Sequence, residues 1–164
     1  MKQLLPSLSV VLFAVALVGC DGAGNRYDRA GVLSVPFTFD VNGAVKNGNV
    51  LSEQIDFPEI TQRVVDLGAV MVYFEEQDTW TALPYTYGVE SATEPLVDYT
   101  VTLGYAFDTH LVEVFYETSA DPDVLSLPGS VRMKAVIFDA IPTGKNAPDL
   151  RDYQAVKRYY GLDD

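Results

Sequence analysis

From Val35 onward, apolar residues recur mostly at every second position, the spacing of strands with one buried face. Phe37 and Phe39 alternate with Thr38 and Asp40, and Val70, Val72 and Phe74 keep the same period. Tyr99, Val101, Leu103, Tyr105 and Phe107 alternate with Thr100, Thr102, Gly104 and Ala106. Between His110 and Thr118, Val112, Val114 and Tyr116 share one face, while Leu111, Glu113, Phe115 and Glu117 share the other. The run Val131 to Ala140 is apolar on both faces in its second half. Turn signals at Asn42-Gly43, Asn47-Gly48, Asp121-Pro122-Asp123 and Pro128-Gly129 divide these runs. Seven or so short strands with turns between them predict an all-β fold, an antiparallel immunoglobulin-like β-sandwich.

Two segments change period. Pro58 to Leu67 carries Ile60, Val64 and Leu67 at helical spacing, with Pro58 near the first helical position, Asp56 or Phe57 as the way in and Gly68 just past the end. Asp149 to Tyr160 places Leu150, Tyr153, Val156 and Tyr160 on one stripe, Gly161 closes it, and Lys157 and Arg158 suit the negative end of the helix dipole. The expectation is one short helix plus a docked C-terminal helix. No repeat of 20 to 50 residues is visible, which excludes solenoids and propellers.

The N-terminus reads differently. Lys2 precedes an apolar stretch from Leu8 to Val18 broken only by Ser9, too short for a bilayer span of ~20 residues. That is the form of a secretory signal. The sequence Leu17-Val18-Gly19-Cys20 that ends it resembles the lipobox of bacterial lipoproteins, which implies cleavage ahead of Cys20 and acylation of its thiol. Two or more acyl chains, at ~0.8 kcal/mol per buried CH2, anchor a protein stably. Asp21 follows directly, a position that in some bacteria retains lipoproteins in the inner membrane, so both envelope membranes stay open. Residues 20–33 mix Gly with charge and show no period, as a short tether does. The expected organisation is a signal peptide over 1–19, a tether over 20–33 and a sandwich domain over 34–164.

The ordered set Pro58-Glu59-Ile60-Thr61, Leu67-Gly68-Ala69-Val70-Met71-Val72-Tyr73 and Trp80-Thr81-Ala82-Leu83-Pro84-Tyr85 resembles a group of small bacterial lipoproteins and secreted proteins. In that group the same order is followed by two long strands, a Val-rich strand and a Tyr-containing C-terminal helix. The resemblance spans most of residues 34–161 and implies a β-rich envelope domain. It carries no activity or catalytic residue to transfer.

Charge narrows the partners. Removing residues 1–19, whose one charged group is Lys2, takes the formal charge from −12 to −13. Such an acidic balance argues against nucleic acid, whose phosphates need Lys and Arg, and against electrostatic docking on anionic lipid. Membrane attachment then rests on the lipid anchor, with envelope proteins or glycans as partners. Cys20 is the single cysteine, so an acylated chain has neither a free thiol nor a disulfide, and packing must hold the domain together. Ten Tyr and eight Phe supply it.

Candidate chemistry is sparse. His110 is the single histidine; it follows Asp108-Thr109 and reads as an exposed turn residue. Neither a His cluster, a Gly-x-Ser-x-Gly elbow, a Gly-x-Gly-x-x-Gly nor a P-loop occurs, and no cofactor is expected. Glu75, Glu76 and Asp78 cluster at a hairpin end, but neighbours in a strand face opposite ways and make poor partners for acid-only glycoside hydrolysis. Asp121 and Asp123 flank Pro122, short of the alternating ligands of a Ca2+ loop. Solvated turn charges explain both groups, so neither a catalytic nor a metal set is assigned. Trp80, Tyr85 and Tyr87, with Pro84, form the densest aromatic segment and are the candidate ligand-binding residues, since flat aromatics on a sandwich surface can stack sugar rings. A core role for Trp80, which alternates with Ala82 beside Leu83, competes with that reading. The function expected is non-catalytic binding or scaffolding at the bacterial envelope, with a surface carbohydrate-binding module as the alternative and an acid-only glycoside hydrolase behind it.

Overall fold

Period-two patterning becomes two antiparallel sheets in the computed structural model, which describes residues 31–90, 97–120 and 127–162. In chain order the strands are β1 (Val32–Asp40), β2 (Val45–Asn47), β3 (Val50–Asp56), β4 (Ala69–Glu76), β5 (Thr79–Ala82), β6 (Tyr85–Glu90), β7 (Val97–Asp108), β8 (Leu111–Thr118) and β9 (Ser130–Phe138). One sheet has the order β1-β9-β4-β5 and the other β2-β3-β8-β7-β6. The fold is thus an all-β sandwich of two antiparallel sheets. Cys20, the signal segment and the Asp121-Pro122-Asp123 turn lie outside the described residues.

The space between the sheets is filled by the residues that the alternation marks. Phe39, Val72, Val101, Val112, Val114, Met133, Ala135 and Ile137 are buried in one cluster, and fully burying each Val, Ile or Phe contributes ~1.5 to 3 kcal/mol. Phe39 meets Tyr116 with ring centroids 5.7 Å apart, and Phe37 meets Phe57 edge-on at 5.2 Å. Val32 and Leu33 are buried within β1, and Asp139 N–H donates to Gly31 O at 2.9 Å. The domain therefore begins ahead of residue 34, and what was expected as the end of the tether is its first strand.

β9 shows why its sequence is apolar on both faces. Val131, Met133, Ala135 and Ile137 point between the sheets, whereas Val136 and Phe138 point outward into a second cluster with Val32, Tyr73, Tyr153, Val156 and Leu162. The C-terminal helix α2 (Tyr153–Tyr160) provides the cover. It is shorter than the expected Asp149 to Tyr160. Asp149 to Asp152 close instead as a turn, Asp152 N–H donating to Asp149 O, and the Asp152 side chain caps the helix by accepting from Ala155 N–H at 3.0 Å. Gly161 ends it at φ 68°, the left-handed stop that glycine adopts freely.

The short helix α1 runs over Gln62–Leu67 rather than from Pro58. Phe57 and Ile60 are held by the β7–β8 hairpin turn: Phe57 N–H donates to His110 O at 2.9 Å and His110 N–H to Ile60 O at 2.7 Å. Those bonds fix residues 57–61 as a turn before helical bonding can begin. His110 itself is exposed, at φ 62° in the two-residue loop between Asp108 and Leu111.

Candidate functional site

The segment expected to hold the ligand is split by the fold. β5 belongs to one sheet and β6 to the other, and the chain crosses between them at Leu83-Pro84, joined by a cis peptide bond. Trp80 and the two tyrosines consequently occupy different clefts.

Tyr85 and Tyr87 stand opposite Leu103 and Val101 in the register of β6 with β7. Residues paired in register share a face, so both rings point to the inner side of an edge strand, where the sandwich opens. Together with Phe74, Leu103, Tyr116 and Val131 they line a cleft of about 510 Å3. The rings run in series: Phe74 to Tyr85 at 5.3 Å and Tyr85 to Tyr87 at 6.0 Å between centroids, the latter tilted by 32°. Tyr85 is 37% exposed and Tyr87 half-buried, while Tyr116 closes the floor. Burial pushes the Tyr116 hydroxyl up to about 12, with the nearby Tyr87 adding to it, and burial likewise raises Tyr87. Both hydroxyls keep their protons, and hence their donor capacity, well into alkaline pH.

Trp80 lies on the outer face of the other sheet, half-buried beside α2. It does not fill the space between the sheets as a sandwich-core tryptophan would. Its ring contacts that of Tyr153 at 5.8 Å between centroids, and Lys134 Nζ stands 4.4 Å from its ring centre. Lys134 projects from the middle of β9, is only 3% exposed, and donates to the Tyr153 hydroxyl at 2.7 Å. Tyr73 completes this wall: its ring packs edge-on against Tyr153 at 5.1 Å and its hydroxyl donates to Leu150 O. Trp80, Lys134, Arg132, Glu75, Asp78 and Lys157 face a second cleft of about 640 Å3. Arg132 pairs with Glu75 at 2.5 Å.

Of the acidic cluster, Glu75 and Asp78 line the Trp80 cleft, whereas Glu76 lines the Tyr85–Tyr87 cleft, which Glu75 also borders. Glu75 faces the Trp80 cleft in its pair with Arg132, and Asp78 sits at φ 62° in the Gln77-Asp78 turn that joins β4 to β5. Among the described residues no group of three or more His, Cys, Asp or Glu could hold a metal, and no helix is long and apolar enough to cross a membrane.

Sequence reasoning missed Phe74 and Tyr116 as parts of one cleft, and Lys134 and Tyr153 as parts of the other. The first pair is indistinguishable from ordinary core by alternation. Lys134 did leave a signal, as the one charged residue within Met133-Lys134-Ala135-Val136-Ile137-Phe138. No protein-family model, curated protein or solved structure matches the chain.

Proposed function

We propose that this chain is a lipid-anchored protein of the bacterial envelope whose sandwich is a non-catalytic binding domain, with the Tyr85–Tyr87 cleft as its ligand seat. The observation that carries the reading is the pair of neighbouring tyrosine rings on an edge strand, open to solvent on one side and backed by buried Phe74 and Tyr116. Tyrosine suits such a surface because it offers a large rigid face at low entropic cost and a hydroxyl that can donate or accept. Supporting the address are the Leu17-Val18-Gly19-Cys20 sequence and the apolar stretch before it. The immunoglobulin-like part of the proposal is one of layers, two antiparallel sheets facing across a shared apolar core; in strand order the last strand, β9, lies inside its sheet.

Carbohydrate is the second reading, favoured by the small tilt between Tyr85 and Tyr87, which lets two rings serve one extended ligand. Wild type, Tyr85→Ala and Tyr87→Ala, screened on an array of bacterial surface glycans with parallel melts, test it. Binding lost in both variants at unchanged melting temperature supports sugar recognition. Equal binding by wild type and both variants removes the cleft from the proposal. Where none of the three binds glycans, a photocrosslinking residue at position 85 in living cells reports a protein partner, and the absence of any adduct overturns the binding assignment.

A further inference from the structure

The Trp80 cleft holds a charge that the protein leaves partly answered. Lys134 is 3% exposed within Met133–Phe138, the part of β9 buried on both faces, and an ammonium taken out of water is costly unless it is paired and hydrogen-bonded. Its protein partners are one hydroxyl, that of Tyr153 at 2.7 Å, and the faces of Trp80 and Tyr153 at 4.4 and 4.6 Å from Nζ. An ammonium has three donors. No carboxylate stands within 4.0 Å of it among the described residues, because Glu75, the acid one strand away, is taken by Arg132 at 2.5 Å. The aromatic faces attract the cation without accepting its protons in the manner of an oxygen. Lys134 is among the residues that line the cleft, and Lys157 and Arg132 bring two further cations to its walls.

We propose that this cleft is an oxyanion-binding site, with Lys134 as the buried anchor of a carboxylate or phosphate group and Trp80 as the wall beside it. Desolvation favours such a pairing: a charge-assisted bond to a buried ammonium is stronger than one made in water. Arg132, exposed and already paired, screens Glu75 from the incoming anion. Asp78, on the turn ahead of β5, is the other carboxylate that lines this cleft, and it makes no ion pair with Lys134. The two clefts share Glu75 and Arg132, but Lys134 and Trp80 line only this one and Tyr85 and Tyr87 only the other, so either assignment can fail alone.

Trp80 is the single tryptophan of the chain, and its emission reports directly on this cleft. The full chain in detergent is titrated at constant ionic strength with sodium glucuronate, with inorganic phosphate and with glucose. A saturable change with glucuronate assigns a carboxylate, one with phosphate alone assigns a phosphate, and either supports the site when glucose gives none. Lys134→Met should weaken the response at least about tenfold. Because that change strands the Tyr153 hydroxyl, the Lys134→Met/Tyr153→Phe variant is titrated beside it, folding being checked by melts. No saturable change with either anion, or an unaltered response in the folded Lys134 variants, overturns the proposal.

Discussion

Lys134 Nζ and the Tyr153 hydroxyl, 2.7 Å apart, join the central strand β9 to the first turn of α2, and both residues are buried. Removing one partner leaves the other buried and unsatisfied, which costs ~1 to 3 kcal/mol, whereas removing both can be nearly neutral. Lys134→Met and Tyr153→Phe should therefore each destabilise, and the double variant should be less destabilised than the sum of the two. Urea unfolding of all four proteins measures the cycle. Strict additivity would show that the bond contributes nothing.

Gly68 separates α1 from β4 where two backbones nearly touch. A Cβ there would lie 2.1 Å from Phe138 O and 2.9 Å from Val64 O, so the close approach, not φ, demands glycine. Gly68→Ala should cost about 3 kcal/mol or more. Gly48→Ala, at φ 60° with nothing within 4 Å, should cost only ~1 kcal/mol. Thermal melts that rank the two in the opposite order would contradict the packing of α1 on the sheet.

Alkaline pH tests the buried hydroxyls. Tyr116 is raised from 10.0 to about 12, chiefly by burial, and burial raises Tyr73 as well. A folded-state value above the unfolded one means that the native state holds its proton longer, so stability is intact below about pH 10 and falls as pH climbs from 10 toward 12. Tyr116→Phe should flatten that decline. Stability measured by urea melts between pH 9 and 12 checks the slope, and identical slopes in the two proteins would refute the assignment.

Trp80→Ala should cost ~1 to 3 kcal/mol, below the ~3 to 5 kcal/mol typical of a fully buried tryptophan, because the ring is half-buried against Tyr153 and Lys134. Chemical denaturation of wild type and variant measures the difference. A loss under ~0.5 kcal/mol would mean that the ring does not pack against α2 at all.

Cys20→Ser should abolish labelling by a fatty-acid analogue in cells and shift the chain from the membrane fraction to an unprocessed or soluble form. Labelling that persists in the variant would remove the lipid anchor from the proposed function.

Alternation alone determined which residues face inward. Val112, Val114 and Tyr116 in β8 and Val70, Val72 and Phe74 in β4 are buried as their period requires, since a strand's side chains alternate faces whatever its neighbours do. The stripe Tyr153–Val156 on α2 and its glycine stop were legible for the same local reason. Tertiary contacts decided the rest. α1 starts at Gln62 because His110, about 50 residues away in sequence, claims the backbone bonds of Phe57 and Ile60. Trp80 and Tyr85, five positions apart, face separate clefts because the chain changes sheet between them. Lys134 is buried because α2 lays Tyr153 over it. Periodicity records whether a residue faces in or out of its own strand, but which strand, helix or solvent it then meets depends on pairings between distant segments, and those carry no local pattern.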